Sequence, residues 1–213
     1  MPNRGKIGGL YLILDQQYTN QDIVSIAIEA AEAGVDVIQY REKVLPKKGA
    51  LSVAKRLREV TVAAGIMFIV NDDPALALGA EADGVHLGQE DIPVDVARRI
   101  LGRDKVIGIS THNIEEALDA GQMDVDYIGF GPVFHSVTKM VTSPHGLEGV
   151  RRIRDSVSMP VIAIGGIDQG NVSAVIRAGA DGVAVISAVL SAPNVKKAVS
   201  ELKKGIGSGR NSL

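Results

Sequence analysis

Short apolar runs recur along the chain at nearly even spacing: LYLIL (10–14), DVIQY (36–40), IMFIV (66–70), DGVHL (83–87), KVIGI (105–109), DYIGF (126–130), PVIAI (160–164) and GVAVI (182–186). Each has strand length and is rich in Val, Ile and Leu, the composition of strands covered on both faces. Segments of helical period lie between them. QDIVSIAIEAAEAG sets apolar residues at Ile23, Ala27, Ala30 and Ala31 and stops at Gly34, a natural C-cap. PVDVARRILG opens with Pro93 in the first helical turn and stops at Gly102. NIEEALDAG and DQGNVSAVIRAGA repeat the scheme. The pattern predicts eight strands, each followed by a helix or by room for one.

Alternate units also open alike. AGVDVIQ, EADGVHL, DVDYIGF and AGADGVAVI set Asp36, Asp83, Asp126 and Asp181 just ahead of an apolar strand. A βαβα periodicity of this kind fits a closed barrel, whose odd and even strands fill alternate core layers. Eight such units in 213 residues leave no room for a second domain. The expectation is one α/β domain, a (β/α)8 TIM barrel over residues 1–213, rather than an open doubly wound sheet. Residues 1–8 and the glycine-rich stretch from about 206 to 213 are expected to be flexible ends.

Composition narrows the partners. The hydrophobic share of 46% supports a large core. A net charge of -2 and 3% aromatics argue against a nucleic-acid surface. With no cysteine, disulfides, thiolate zinc sites and cysteine nucleophiles are excluded, which suits a reducing cytoplasm. No apolar run reaches the roughly 18 residues of a membrane helix, and MPNRGKIGG has no signal-peptide core. The expected partners are small molecules, and a homo-oligomer stays open.

In such a barrel, chemistry sits at the C-terminal ends of the strands. QYREK after strand 2 gives Gln39, Arg41 and Lys43 one parity, so three donors would share a wall and suit an anion with several oxygens. Tyr40 and Glu42 take the other parity. NDDP after strand 3 supplies Asn71 and Asp72, with Asp73 as N-cap and Pro74 at the first helical position. GQED after strand 4 supplies Asp91. Two carboxylates on neighbouring strand ends, facing cations, suggest a magnesium–diphosphate guest. Ser110 ends strand 5 and can donate to it. AIGGI (163–167) and VISA (185–188) end strands 7 and 8, the common monophosphate site of this fold. HSVTK (135–139) lies between the two anionic ends.

These motifs, in this order from YLILD to AVISA, resemble those of the thiamine phosphate synthases: QYREK, FIVNDD, ADGVHLGQED, GIST, GPVF followed by VTK, IAIGGI and AGADGVAVIS. The resemblance implies condensation of 4-amino-2-methyl-5-(diphosphooxymethyl)pyrimidine with a carboxylated thiazole phosphate, releasing diphosphate and carbon dioxide. It implies that Gln39, Arg41, Lys43 and Asn71 hold the pyrimidine diphosphate, that Asp72 and Asp91 bind Mg2+, and that Ser110 and Lys139 touch the diphosphate. Arg41, Lys43, Ser110 and Lys139 would act catalytically. Ser136 and Thr138 would contact the thiazole, and Gly166, Ile186 and Ser187 its phosphate. Tyr40, Glu42 and Val137 fall within the same binding segments.

Departures exist. Members of the family often read Pro-Thr where this chain has His135 and Ser136; Ser136 keeps the hydroxyl. His135 and His145 read as loop residues, His86 as a packed strand residue and His112 as pocket wall, and Asn113 reads as an N-cap. Two alternatives share the barrel. A thiazole tautomerase would keep the phosphate end and place a catalytic His where this chain has Pro132. A non-catalytic phosphate-binding barrel would have no use for Asp72 and Asp91.

Overall fold

A computed structural model describes residues 7–135 and 144–211. Eight parallel strands form one closed ring: β1 (Gly9–Leu14), β2 (Val37–Tyr40), β3 (Met67–Asn71), β4 (Gly84–Leu87), β5 (Val106–Thr111), β6 (Tyr127–Phe130), β7 (Val161–Ile164) and β8 (Gly182–Val185). β8 pairs back onto β1, with Tyr11 opposite Ala184. The helices are α1 (Ile23–Glu32), α2 (Lys47–Ala64), α3 (Pro74–Gly79), α4 (Val94–Leu101), α5 (Ile114–Ala120), α6 (Gly146–Ser156), α7 (Val172–Arg177), α8 (Ser187–Leu190) and α9 (Val195–Arg210). Every expected strand is present, and the closed barrel is the observed architecture. Local signals act as read: Asp73 accepts from the Leu76 N–H with Pro74 in the first turn, and Asn113 accepts from the Glu116 N–H.

Strand alternation divides the core in two. Outward residues such as Leu12, Ile38, Phe68, Ile107 and Val183 pack under the helices. Inward residues, among them Tyr11, Ile13, Val37, Ile69, Tyr127 and Ile162, fill the barrel itself. Burying each large apolar side chain is worth about 1.5–3 kcal/mol. Gly108 has no side chain because Tyr127 occupies its place: a Cβ there would lie 2.1 Å from the phenol ring.

The repeated aspartates close the lower end of the barrel four times over. Asp36, Asp83, Asp126 and Asp181 each accept, through Oδ2, the N–H at the start of the preceding strand: Leu10, Phe68, Ile107 and Val161, at 2.7–2.8 Å. The same oxygens meet Lys203, Arg58, Arg98 and Arg154, each from a helix following an even-numbered strand. These clasps sit opposite the catalytic end, where residues serve stability.

The C-terminal segment corrects an expectation. α9 continues to Arg210, past the point near residue 206 where flexibility is expected. Glycine is a poor helix former, but here it permits close packing. A Cβ on Gly209 would lie 2.8 Å from the Ser173 carbonyl and from Ile176 of α7, and Ile206 is buried alongside. At the other end Ile7 is also buried.

Candidate active site

The upper end of the barrel opens into a cavity of about 420 Å3. Its floor is a strip of polar but uncharged groups. His86 on β4 links the Tyr127 hydroxyl, 3.0 Å from Nδ1, to the Ser110 hydroxyl, 3.0 Å from Nε2. Burial pushes the His86 pKa down to about 4, with Asp91 opposing only in part. Burial raises both Tyr11 and Tyr127. The floor is therefore neutral near pH 7. Apolar side chains of Ile13, Ile162 and Ile164 complete it. Such a surface suits a flat, neutral, nitrogen-bearing ring.

One wall carries the charge. Gln39, Arg41 and Asn71 line the cavity from β2 and β3. Arg41 forms an ion pair with the buried Asp15 at the end of β1. Lys43 lies beyond the strand end, where the parity argument no longer applies, and reaches across to Asp72 at 2.5 Å. Asp72 itself adopts a left-handed backbone, φ 63°, while its N–H donates to the His86 carbonyl at 2.8 Å. Asp91 accepts from the Gly88 N–H at 2.7 Å. Burial raises the Asp91 pKa, and the adjacent Asp72 carboxylate adds to the rise against Gly88 and Lys43. Two carboxylates that repel each other this closely, with all-oxygen donors, fit a hard divalent cation with open positions for water or phosphate. Among the described residues no cluster of three or more His, Asp or Glu side chains forms a metal cage.

Tyr40 and Glu42 are corrected. The Tyr40 ring is buried in the outer core, and its hydroxyl donates to Glu42 at 3.0 Å. The other Glu42 oxygen accepts from the N–H groups of Val44 and Leu45. Neither side chain lines the cavity; Glu42 shapes the loop that carries Lys43.

A second cavity of about 480 Å3 adjoins the first and shares Ile164, Gly165, Ala184 and Ile186 with it. Gly166, Ser187 and Ser191 line it, with the exposed His135 at its edge. Gly166 has φ 63°, and a Cβ there would meet the His135 carbonyl at 2.3 Å, so only glycine fits. Asn171 donates to the Gly166 carbonyl at 2.8 Å and holds this turn. Gly166, Ile186 and Ser187 thus stand together, apart from the charged wall. His112 lines the first cavity, its Nδ1 on Glu116 at 3.0 Å. His145 precedes α6 and stacks near Phe130. Ser136, Val137, Thr138 and Lys139 lie outside the described residues.

Tyr11, Tyr18 and Tyr127 also line the first cavity, and Asp15 pairs with Arg41 behind it; none of the four is among the site residues expected from the sequence. Parity could have found Tyr11, which shares the inward face of β1 with Ile13; Tyr18 sits in the 3-10 turn that follows, where no alternation applies.

Comparison with known proteins places the whole barrel in context. The family model described as thiamine monophosphate synthase matches residues 10–189. The thiamine-phosphate synthase of Chloroflexus aurantiacus is 46% identical over 196 residues, covering 91% of this chain and 90% of that protein. That of Shouchella clausii is 43% identical, covering 91% and 93%. The solved thiamine phosphate pyrophosphorylase from Pyrococcus furiosus superposes with a TM-score of 0.87 at 40% identity, over 98% of both chains.

Proposed function

Because the chain belongs to the thiamine monophosphate synthase family, whose enzymes are transferases, we propose that its barrel mouth joins the aminopyrimidine methyl diphosphate to a carboxylated thiazole phosphate. The observation that carries this reading is the separation of two ends. Gln39, Arg41 and Asn71 line the first cavity, and Lys43, Asp72 and Asp91 follow the neighbouring strands β2, β3 and β4; Gly166 and Ser187 line the second cavity, and Ile186 lies between the two.

The neutral floor would take the pyrimidine ring, with Ser110 aimed by His86 and Gln39 buried beside it. Departure of diphosphate breaks the methylene C–O bond and leaves a cation delocalised into the electron-rich ring. Arg41 and Lys43 would hold the growing negative charge, and Lys139 and Ser110 would share that role. Asp72 and Asp91 would hold Mg2+, which when bound supplies further positive charge against the leaving diphosphate. Gly166, Ile186 and Ser187 would anchor the thiazole phosphate, and Ser136 and Thr138 would contact its ring, directing the thiazole nitrogen onto the methylene carbon. The carbon–nitrogen bond forms, loss of carbon dioxide leaves the electron pair of the broken C–C bond on the ring system, and uptake of a proton from water gives the thiazolium. No side-chain nucleophile is needed. The tautomerase alternative is disfavoured by Pro132, which lines the cavity and carries no proton to transfer.

The test is direct: purified protein with both substrates, with and without Mg2+, read for thiamine phosphate. Formation that requires all three components is the expected outcome. No product under these conditions would refute the reading.

A further inference from the structure

Among the described residues, Asp15 is the most deeply buried carboxylate, and it pairs with Arg41 of the charged wall. Its side chain is 2% exposed, against 32% for its partner Arg41. One oxygen holds the Arg41 Nη1; the other accepts the Gln17 N–H at 3.0 Å, capping the 3-10 turn Gln16–Tyr18. Tyr18 and Arg41 both line the first cavity. A single carboxylate therefore fixes two elements of its edge.

Stability does not account for this arrangement. β1 and β2 are already joined at this point by the Arg41 N–H on the Leu14 carbonyl, at 2.9 Å. A buried ion pair adds little net stability, because desolvation offsets the attraction. What the pair does supply is direction. A free arginine has many rotamers, and its planar fork grips an oxyanion only when correctly turned. Tied at Nη1, Arg41 has lost that freedom before any ligand arrives, and its remaining N–H groups stay available to the cavity.

We propose that Asp15 is a positioning residue, whose buried carboxylate aims Arg41 and the Tyr18 turn at the diphosphate end of the cavity. The proposal rests on the assignment of that end to diphosphate.

The experiment measures binding of inorganic diphosphate with Mg2+ by calorimetry for four proteins: wild type, Asp15→Asn, Arg41→Met and the double variant. Asparagine keeps an oxygen for the Gln17 N–H but turns an N–H2 toward Arg41. Asp15→Asn is expected to weaken diphosphate binding about tenfold, as loss of a prearranged charged contact does. The double variant is expected to bind no more weakly than Arg41→Met alone. In turnover, KM for the pyrimidine diphosphate should rise and KM for the thiazole phosphate should hold. Additive losses in the double variant, or an equal rise in both KM values, would overturn the role of Asp15 while leaving the diphosphate site intact. A wild type that does not bind diphosphate would overturn both. Should Asp15→Asn fail to fold, Asp15→Ser retains the cap and replaces it. If neither folds, Asp15 is structural and the proposal fails.

Discussion

Lowering the pH should destabilise this protein through His86, and the structure sets the size of the effect. The ring is half-buried in the cavity floor and bonded at both nitrogens, and desolvation lowers its pKa from the ordinary 6.5 to about 4. The unfolded chain takes up a proton at about pH 6.5, and the folded chain resists until about pH 4. Stability is therefore whole above pH 6.5, declines as the pH falls through that interval, and levels off below it. Each pH unit between the two values costs about 1.4 kcal/mol, so the loss at pH 4.5 is about 2.5 kcal/mol. His86→Leu removes the titration. It also strips partners from Tyr127 and Ser110, at a cost of about 1–3 kcal/mol at neutral pH. Urea unfolding of both proteins from pH 7.5 to 4.5 should give curves that start apart and draw together. His145, whose pKa is lowered by burial and then by His112, contributes to both curves and cancels in the difference. Parallel curves across the range, or a His86 that titrates above pH 6 by NMR, would refute the reasoning.

Asp91→Asn should lower turnover at least about tenfold by weakening the Mg2+ site, and excess chelator should abolish wild-type activity; full activity in chelator would remove the metal from the mechanism. Lys43→Ala should raise KM for the pyrimidine diphosphate more than for the thiazole phosphate, because Lys43 follows β2 and pairs with Asp72, away from Gly166 and Ser187; steady-state kinetics with each substrate varied decides it. Lys139→Met should reduce kcat on the order of a hundredfold with less effect on KM, as removal of a donor to developing charge does. Two glycines of α9 should behave oppositely in thermal melts. Gly207→Ala meets nothing within 4 Å and should stabilise by up to about 1 kcal/mol. Gly209→Ala, crowded against Ser173 and Ile176, should destabilise by about 1–3 kcal/mol.

The elements of the barrel were legible because each has a local cause. Short apolar runs marked the strands, Asp73 and Asn113 marked helix starts, and the four aspartates marked a repeat. The charged wall was legible through the parity of Gln39 and Arg41. Parity failed past the end of β2, where a loop and not a strand brings Lys43 to Asp72. Parity did set Glu42 apart from that wall, and its carboxylate is satisfied by its own loop and by Tyr40; only the resemblance had drawn it into the binding segment. The glycines after Ile206 misled for a related reason. Their composition suggests a loose end, and only the partner helix α7 reveals that their smallness is used for contact. Asp15 stayed hidden because a single carboxylate at a strand end has no motif; its meaning comes from Arg41, 26 residues away.

The four aspartate clasps differ in one respect that bears on how the ring is assembled. In three of them the cation lies 25–28 residues from its aspartate. In the fourth, Lys203 lies 167 residues from Asp36. By loop-closure entropy alone, joining the distant pair costs about 1.6 kcal/mol more than joining a near one, from (3/2)RT ln(167/27). The near clasps can form within stretches of chain still being extended from the N-terminal side. The far one waits for α9, and with it the pairing of β8 to β1. Chain entropy thus sets a seam in an otherwise even ring, and it lies where the two ends of the sequence meet.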